Sequence, residues 1–223
     1  MLLPRLLAAA TLALVSMTAC AQVSIERFQA GTHYFPVEPA QPTASGDKVE
    51  VIEVFSFACI HCAHFEPEVA KWKKKMPANV AFSYLPAVFN AQWETFARAY
   101  YAGEVLGIAE KAHQDVFDGV HVRRDVRNLE DVAKIYAKHG KTEQQFFDAT
   151  KSFAVEMKLN RAKQMVPRYQ IDGTPTVIVA GKYRITGTSA GGQDKVFDVV
   201  DFLVAKEAAA KKGAAPAAAA AKG

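Results

Sequence analysis

The 223-residue chain is 50% apolar and 22% charged, which supplies a packed core and excludes a chain that is disordered throughout. Its formal net charge of +4 comes from the ends, from Arg5 near the start and from Lys206, Lys211, Lys212 and Lys222 against Glu207 near the finish. The body between them is close to neutral and lacks the basic stripe of a nucleic-acid-binding domain, so no nucleic-acid partner is expected.

Residues 1–21 have the make-up of a secretory signal. Arg5 supplies a positive start, Leu6 to Val15 an apolar run, and Ala19-Cys20-Ala21 a small-x-small cleavage pattern. The run is too short for a stable transmembrane span. Met17-Thr18-Ala19-Cys20 also resembles a bacterial lipobox, in which Cys20 would carry a lipid anchor. Ordinary cleavage before Gln22 is favoured, because Met is tolerated less well than Leu at the first lipobox position. Either reading takes the protein out of the cytoplasm, into a compartment where disulfides persist. Of the three cysteines, Cys20 is thereby accounted for, leaving Cys59 and Cys62.

A first α/β portion is expected over residues 22–91. Thr32 to Val37 is a short strand stopped by Pro36, and Glu38 to Lys48, with Pro39, Pro42 and Gly46, is a loop. Val49 to Phe55 is β-branched and mostly apolar, as in a central strand buried on both faces. After Cys59, Phe65, Val69, Trp72 and Met76 form a helical stripe, with Pro67 inside it as a kink. Lys71, Lys73, Lys74 and Lys75 read as a solvated helix end facing the negative pole of the dipole. Val80 to Leu85 returns as a strand.

Residues 92–153 read as helix upon helix. Trp93, Phe96 and Tyr100 share a face, Ala109 to Phe117 forms a second helix, Asn128 opens a third, and Thr142 to Gln145 caps a fourth. A second α/β portion over residues 154–207 takes in most of a long helix from Ser152 to Tyr169. A hairpin from Thr176 to Ile185 around Ala180-Gly181 and a closing helix from Gln193 to Ala210 follow. The alanine-rich residues 208–223 read as a disordered tail. Inserting so much helix between strands implies a helical lid on a mixed sheet.

The C-x-x-C of Cys59 and Cys62 sits where a buried-type strand runs into a helix. The N-terminal amides and the positive dipole end there favour a thiolate, and His61 between the cysteines is expected to add to that through its imidazole. A stabilised thiolate stabilises the reduced form, so the disulfide becomes a stronger oxidant. Cys59 should be the exposed member and Cys62, one turn in, the shielded one. Three other readings are weaker. A structural C-x-x-C staple closes too short a loop to restrain the unfolded chain. Haem attachment needs a histidine where Ala63 stands. Zinc would need Cys59, His61, Cys62 and His64 to converge from within six residues, with no second ligand pair elsewhere. His33, His113, His121 and His139 carry no motif.

Cys59-Ile60-His61-Cys62 after an apolar strand, the acidic Glu53, the helical block and Gly173-Thr174-Pro175 before the hairpin together resemble the DsbA family of periplasmic thiol:disulfide interchange proteins. The resemblance covers roughly residues 28–205. It implies an α/β, thioredoxin-like fold with a helical domain inserted between strands. It also implies a Cys59–Cys62 disulfide, with Cys59 as the nucleophile, Cys62 as its resolving partner and His61 as the residue that tunes the thiolate. Glu53 corresponds to a buried acid that exchanges protons with Cys62, and Thr174 and cis Pro175 to the loop that meets substrate. The partners implied are folding secreted proteins with free thiols and a DsbB-like, quinone-coupled membrane reoxidant, acting on a soluble periplasmic monomer that needs no cofactor and no metal. This chain has Ile60 where the family's best-known motif has proline. It has Thr174 where oxidases commonly have valine, and it lacks the lysine that often accompanies the buried acid from the next strand. A reductase or isomerase of the same fold is the alternative, followed by a holdase or binding module with an incidental C-x-x-C.

Overall fold

In the computed structural model, residues 26–220 are described, with side chains to residue 212. The signal segment and Cys20 lie outside the described residues. Five strands form one sheet in the order β1-β5-β4-β2-β3: β1 (Phe35–Pro36), β2 (Val49–Phe55), β3 (Val80–Pro86), β4 (Thr176–Val179) and β5 (Tyr183–Thr186). Strand β2 is central, parallel to β3 and antiparallel to β4. β1 is an edge of only two residues, and an edge tolerates Pro36 because no neighbour needs its missing amide. Burial of β2 on both faces holds only for Glu53, Val54 and Phe55, since Glu50 and Ile52 near its start are half-covered.

Helix α1 (Ile60–Lys73) leaves β2 and leads back to β3, continuing through Pro67. It ends at Lys73, so Met76 lies beyond it. Between β3 and β4 come α2 (Ala91–Val105), α3 (Ala109–Asp118), a π-helical turn over Gly119–Arg123, α4 (Leu129–Lys138), α5 (Glu143–Thr150) and α6 (Phe153–Arg168). Local chemistry starts several of them. Asn128 caps α4, Thr142 and Gln145 make a reciprocal capping box on α5, and Ser152 caps α6. The short α7 (Gly187–Ala190) and then α8 (Val196–Ala220) close the described residues.

The sheet divides two cores. On one face, Phe55 and Phe57 meet Phe96, Tyr100 and Phe117 of the helical insertion. On the other, the α1 rings of Phe65 and Trp72 stack on Phe197 of α8 at 5.4 and 4.7 Å, and the Trp72 indole donates to Asp201 at 2.7 Å. Each fully buried ring contributes roughly 1.5–3 kcal/mol relative to exposure. The tail departs from expectation, because α8 runs to Ala220 rather than stopping at Ala210. Alanine is the strongest intrinsic helix former, so a composition unable to build a core still prolongs an anchored helix. Lys211 supplies an anchor, its ammonium donating to the carbonyls of Gly46 and Lys48 at 2.9 and 2.7 Å.

Candidate active site

Past the last residue of β2, the chain turns through Ser56, Phe57 and Ala58. The Ala58 amide donates to the Ser56 hydroxyl at 3.2 Å and the Cys59 amide to the Ser56 carbonyl at 3.0 Å. The turn leaves Cys59 as the N-cap of α1, its sulfur accepting from the Cys62 amide at 3.4 Å. Helix N-termini have amides with no intrahelical acceptor, and here a sulfur takes one of them. Both cysteines are free thiols, so the structure holds the dithiol form.

Cys59 is less open than expected, with 8% exposed against none for Cys62. The Thr174–Pro175 segment lies against it, with the Thr174 carbonyl oxygen 3.4 Å from the Cys59 sulfur. The peptide between Thr174 and Pro175 is cis. Beside this loop runs a groove of about 890 Å³, lined by His61, Thr174, Pro175, Arg184, Gly192 and Gln193 among others.

The surroundings push the pKa values of the two thiols in opposite directions. Cys59 falls from an ordinary value of 9.0 to about 5, first through hydrogen bonding with Cys62, against an opposing effect of burial. Hydrogen bonding at Thr174 and the amides of Cys62 and His61 lower it further. Cys62 is pushed well up, first by burial, then by its hydrogen bond with Cys59 and by the charge of Glu53. At neutral pH the pair therefore holds one thiolate and one thiol. His61 brings its main-chain amide to Cys59, and its side chain is exposed. Gln193 ties this residue by donating to its carbonyl at 3.2 Å.

Glu53 is fully buried, and neither carboxyl oxygen has a hydrogen-bond partner. Burial raises its pKa well above the carboxylate range, helped by the charges of Glu66 and Cys59 and opposed by Lys73. Tyr84 of β3 is its register partner, and the Tyr84 hydroxyl donates to Glu66 Oε1 at 2.8 Å. Glu66 Oε2 lies 3.4 Å from Nε2 of His113 on α3. Lys73 turns inward over the Tyr84 ring at 5.5 Å and pairs with Glu110, so it is no solvated helix end. The lysine absent from β3 is thus replaced by a cation from α1.

Sequence reasoning missed Glu66, Tyr84, Lys73 and His113. Glu66 was within reach, since it stands four residues after Cys62 and so on the same helix face. The others depend on parallel register and on how α3 docks. His121 was also missed: its Nε2 donates to the Phe57 carbonyl at 2.8 Å, tying the π-helical turn to the loop before Cys59. His64 is exposed, and among the described residues no group of three or more His, Cys, Asp or Glu side chains is placed to hold a metal ion.

Comparison with known proteins agrees with this architecture. The family model described as thioredoxin matches residues 44–195. The thiol:disulfide interchange protein DsbA of Pseudomonas aeruginosa is 33% identical over 208 residues, spanning 93% of this chain and 98% of that one. The protein of the same name from Pseudomonas syringae pv. tomato is 34% identical over 94% and 98%. The crystal structure of Pseudomonas aeruginosa DsbA superposes with a TM-score of 0.78 at 34% identity, covering 83% of this chain and 97% of that one. Matched over nearly its whole length in sequence and over most of it in structure, this chain belongs to the DsbA family of thiol:disulfide oxidoreductases on the thioredoxin fold.

Proposed function

We propose that the protein is exported through residues 1–21 to the periplasm, where it donates a Cys59–Cys62 disulfide to folding proteins. The observation that carries this reading is the division of the pair, with Cys59 accepting amide hydrogen bonds at the edge of a groove while Cys62 is sealed. A substrate thiolate attacks the Cys59 sulfur of the oxidised pair. The Cys59–Cys62 bond breaks, Cys62 leaves as a thiolate and takes a proton from Glu53, and a mixed disulfide stands on Cys59. A second substrate thiolate attacks the substrate sulfur of that bond, expelling Cys59 as the stabilised thiolate. Two electrons pass from substrate to protein. The Thr174 and Pro175 segment offers main-chain groups to an extended substrate much as a sheet edge does. Reoxidation falls to a DsbB-like, quinone-coupled membrane partner, which returns the two electrons to a quinone. Among the described residues no helix is long and apolar enough to cross a membrane.

The deciding experiment is equilibration of the Cys59–Cys62 pair with a glutathione redox buffer. A potential well above the glutathione couple is expected, as a stabilised reduced form requires. A potential near that of thioredoxin overturns the donor reading in favour of a reductase. Cys59→Ser is expected to be inactive, whereas Cys62→Ser accumulates substrates as mixed disulfides that a reductant releases. Failure of Cys62→Ser to trap any thiol protein would remove the assigned roles.

A further inference from the structure

His113 stands where an apolar side chain would be expected. It is 4% exposed and walled by Phe55, Phe57, Tyr84 and Phe117, with ring centroids 4.4 to 5.1 Å away. Neither ring nitrogen has a hydrogen-bond partner, nor does Glu66 Oε2, although Nε2 and Oε2 are only 3.4 Å apart. Burying unpartnered polar atoms is costly, and phenylalanine would fill the same ring-lined space without that cost. An imidazole is also the side chain that gains and loses a proton most readily near neutrality.

Other titratable groups surround that ring. From β2 comes Glu53. From α1 come Glu66, which carries the charge most strongly felt by Glu53, and Lys73, with Lys74 just past the helix end. From β3 comes Tyr84, from α2 Tyr100, its ring 6.0 Å from the imidazole, and from α3 Glu110. Burial holds both phenols protonated, so they act as fixed donors to Glu66 and Glu104. A cleft of about 430 Å³ between α1 and α3 has Glu66, Tyr84 and His113 on its floor and the exposed Lys74, Glu110 and Gln114 on its rim.

We propose that His113 passes protons between solvent and the buried Glu66–Glu53 carboxyl pair, through the cleft between α1 and α3. The inference rests on the disulfide-exchange reading above. When the disulfide is reduced, Cys62 leaves as a thiolate and takes the Glu53 proton. Glu53 is reprotonated through Glu66 and His113, which recover a proton from water in the cleft. Reoxidation runs the same transfers backwards. His113 acts through other groups, so it is a positioning residue for the proton and not a catalytic one.

Two measurements test this on the full chain. The first follows the His113 ring resonances of the wild-type protein through a pH titration in the oxidised and reduced states. Different midpoints are expected, because reduction creates the Cys59 thiolate, whose charge reaches the Glu53 carboxyl. Identical midpoints overturn the proposal. The second records the single-turnover rate of reduction by dithiothreitol between about pH 5 and 8 for wild type, His113→Phe and Glu66→Gln. His113→Phe preserves the ring packing and is expected to be slower by roughly tenfold and to lose an inflection from its pH profile. A profile that superposes on wild type overturns the relay. If His113→Phe does not fold, Glu66→Gln and the wild-type titration still decide. Failure of wild type to exchange with glutathione would sink the functional reading itself. Normal exchange with state-independent His113 midpoints would sink the relay alone.

Discussion

Glu53 carries a buried carboxyl that no donor satisfies, in a strand where an apolar residue would pack without penalty. Its pKa in the folded protein lies above the ordinary 4.5, chiefly through burial. A group raised in this way favours the folded state least at high pH. The penalty is absent below about 4.5 and grows as pH rises toward the folded value. Glu53→Gln is therefore expected to stabilise the reduced protein at pH 7 to 8 by on the order of 1–2 kcal/mol. The gain should close as pH falls below 4.5. Urea unfolding at the two ends of that range measures it, and an equal difference at both ends would mean that the carboxyl bears no such penalty. The same substitution should slow proton uptake by Cys62, so stability and turnover move in opposite directions, as expected where a strained group serves function.

At the scale of elements, the turn after α3 ties the helical insertion to the loop before the dithiol. The Gly119 carbonyl accepts from the amides of Asp125 and Val126 at 3.0 and 3.2 Å, Arg124 takes a left-handed conformation, and His121 is thereby aimed at the Phe57 carbonyl. A Cβ on Gly119 would sit 2.5 Å from Cγ2 of Val126. Gly119→Ala is expected to cost about 1–3 kcal/mol by overpacking, measurable as a lower urea midpoint with an unchanged slope. A midpoint within error of wild type would mean the turn yields freely. None of this turn was legible in the sequence, because a π-helical turn carries no propensity signature and its glycine is explained by Val126 and Ile135 arriving from further along the chain. What was legible was local. Asn128, Thr142 and Ser152 announce helix starts through their own side chains, and Val49 to Phe55 announces a strand through its composition. The C-x-H-C with Thr174-Pro175 made the site readable, although the closeness of Cys59 to the Thr174 carbonyl spans 115 residues and no local pattern encodes it. Lys73 read as a solvated end because its pairing with Glu110 and its place over Tyr84 require α3 and β3 to be docked.

For the molecule as a whole, the two cores on opposite faces of the sheet hold the end of β2 and the start of α1 against both layers, so the dithiol senses the folded state of each. The depressed Cys59 value makes this measurable. A group lowered from 9.0 to about 5 on folding adds stability that is full above 9.0, falls as pH drops between the two values, and is gone below about 5. The disulfide form has no such thiolate. Thermal or urea unfolding of both redox forms is expected to show the stability difference, reduced minus oxidised, becoming less favourable to the reduced form as pH falls from 9.0 to about 5 and levelling off below that. A difference flat across the range would mean that Cys59 is not held as a thiolate.

The order of the chain adds a consequence in time. Strands β2 and β4 are neighbours in the sheet, yet all of α2 to α6 is synthesised between them. As the chain emerges from its N-terminus, Cys59 and Cys62 appear long before Thr174 and Pro175 exist to close over them. Until β4 docks beside β2, the two cysteines belong to an incomplete sheet, and Cys59 lacks the Thr174 carbonyl that its sulfur contacts in the finished protein. The pair thus acquires its final redox character only with the last strands, and a half-made chain carries the cysteines without the complete site.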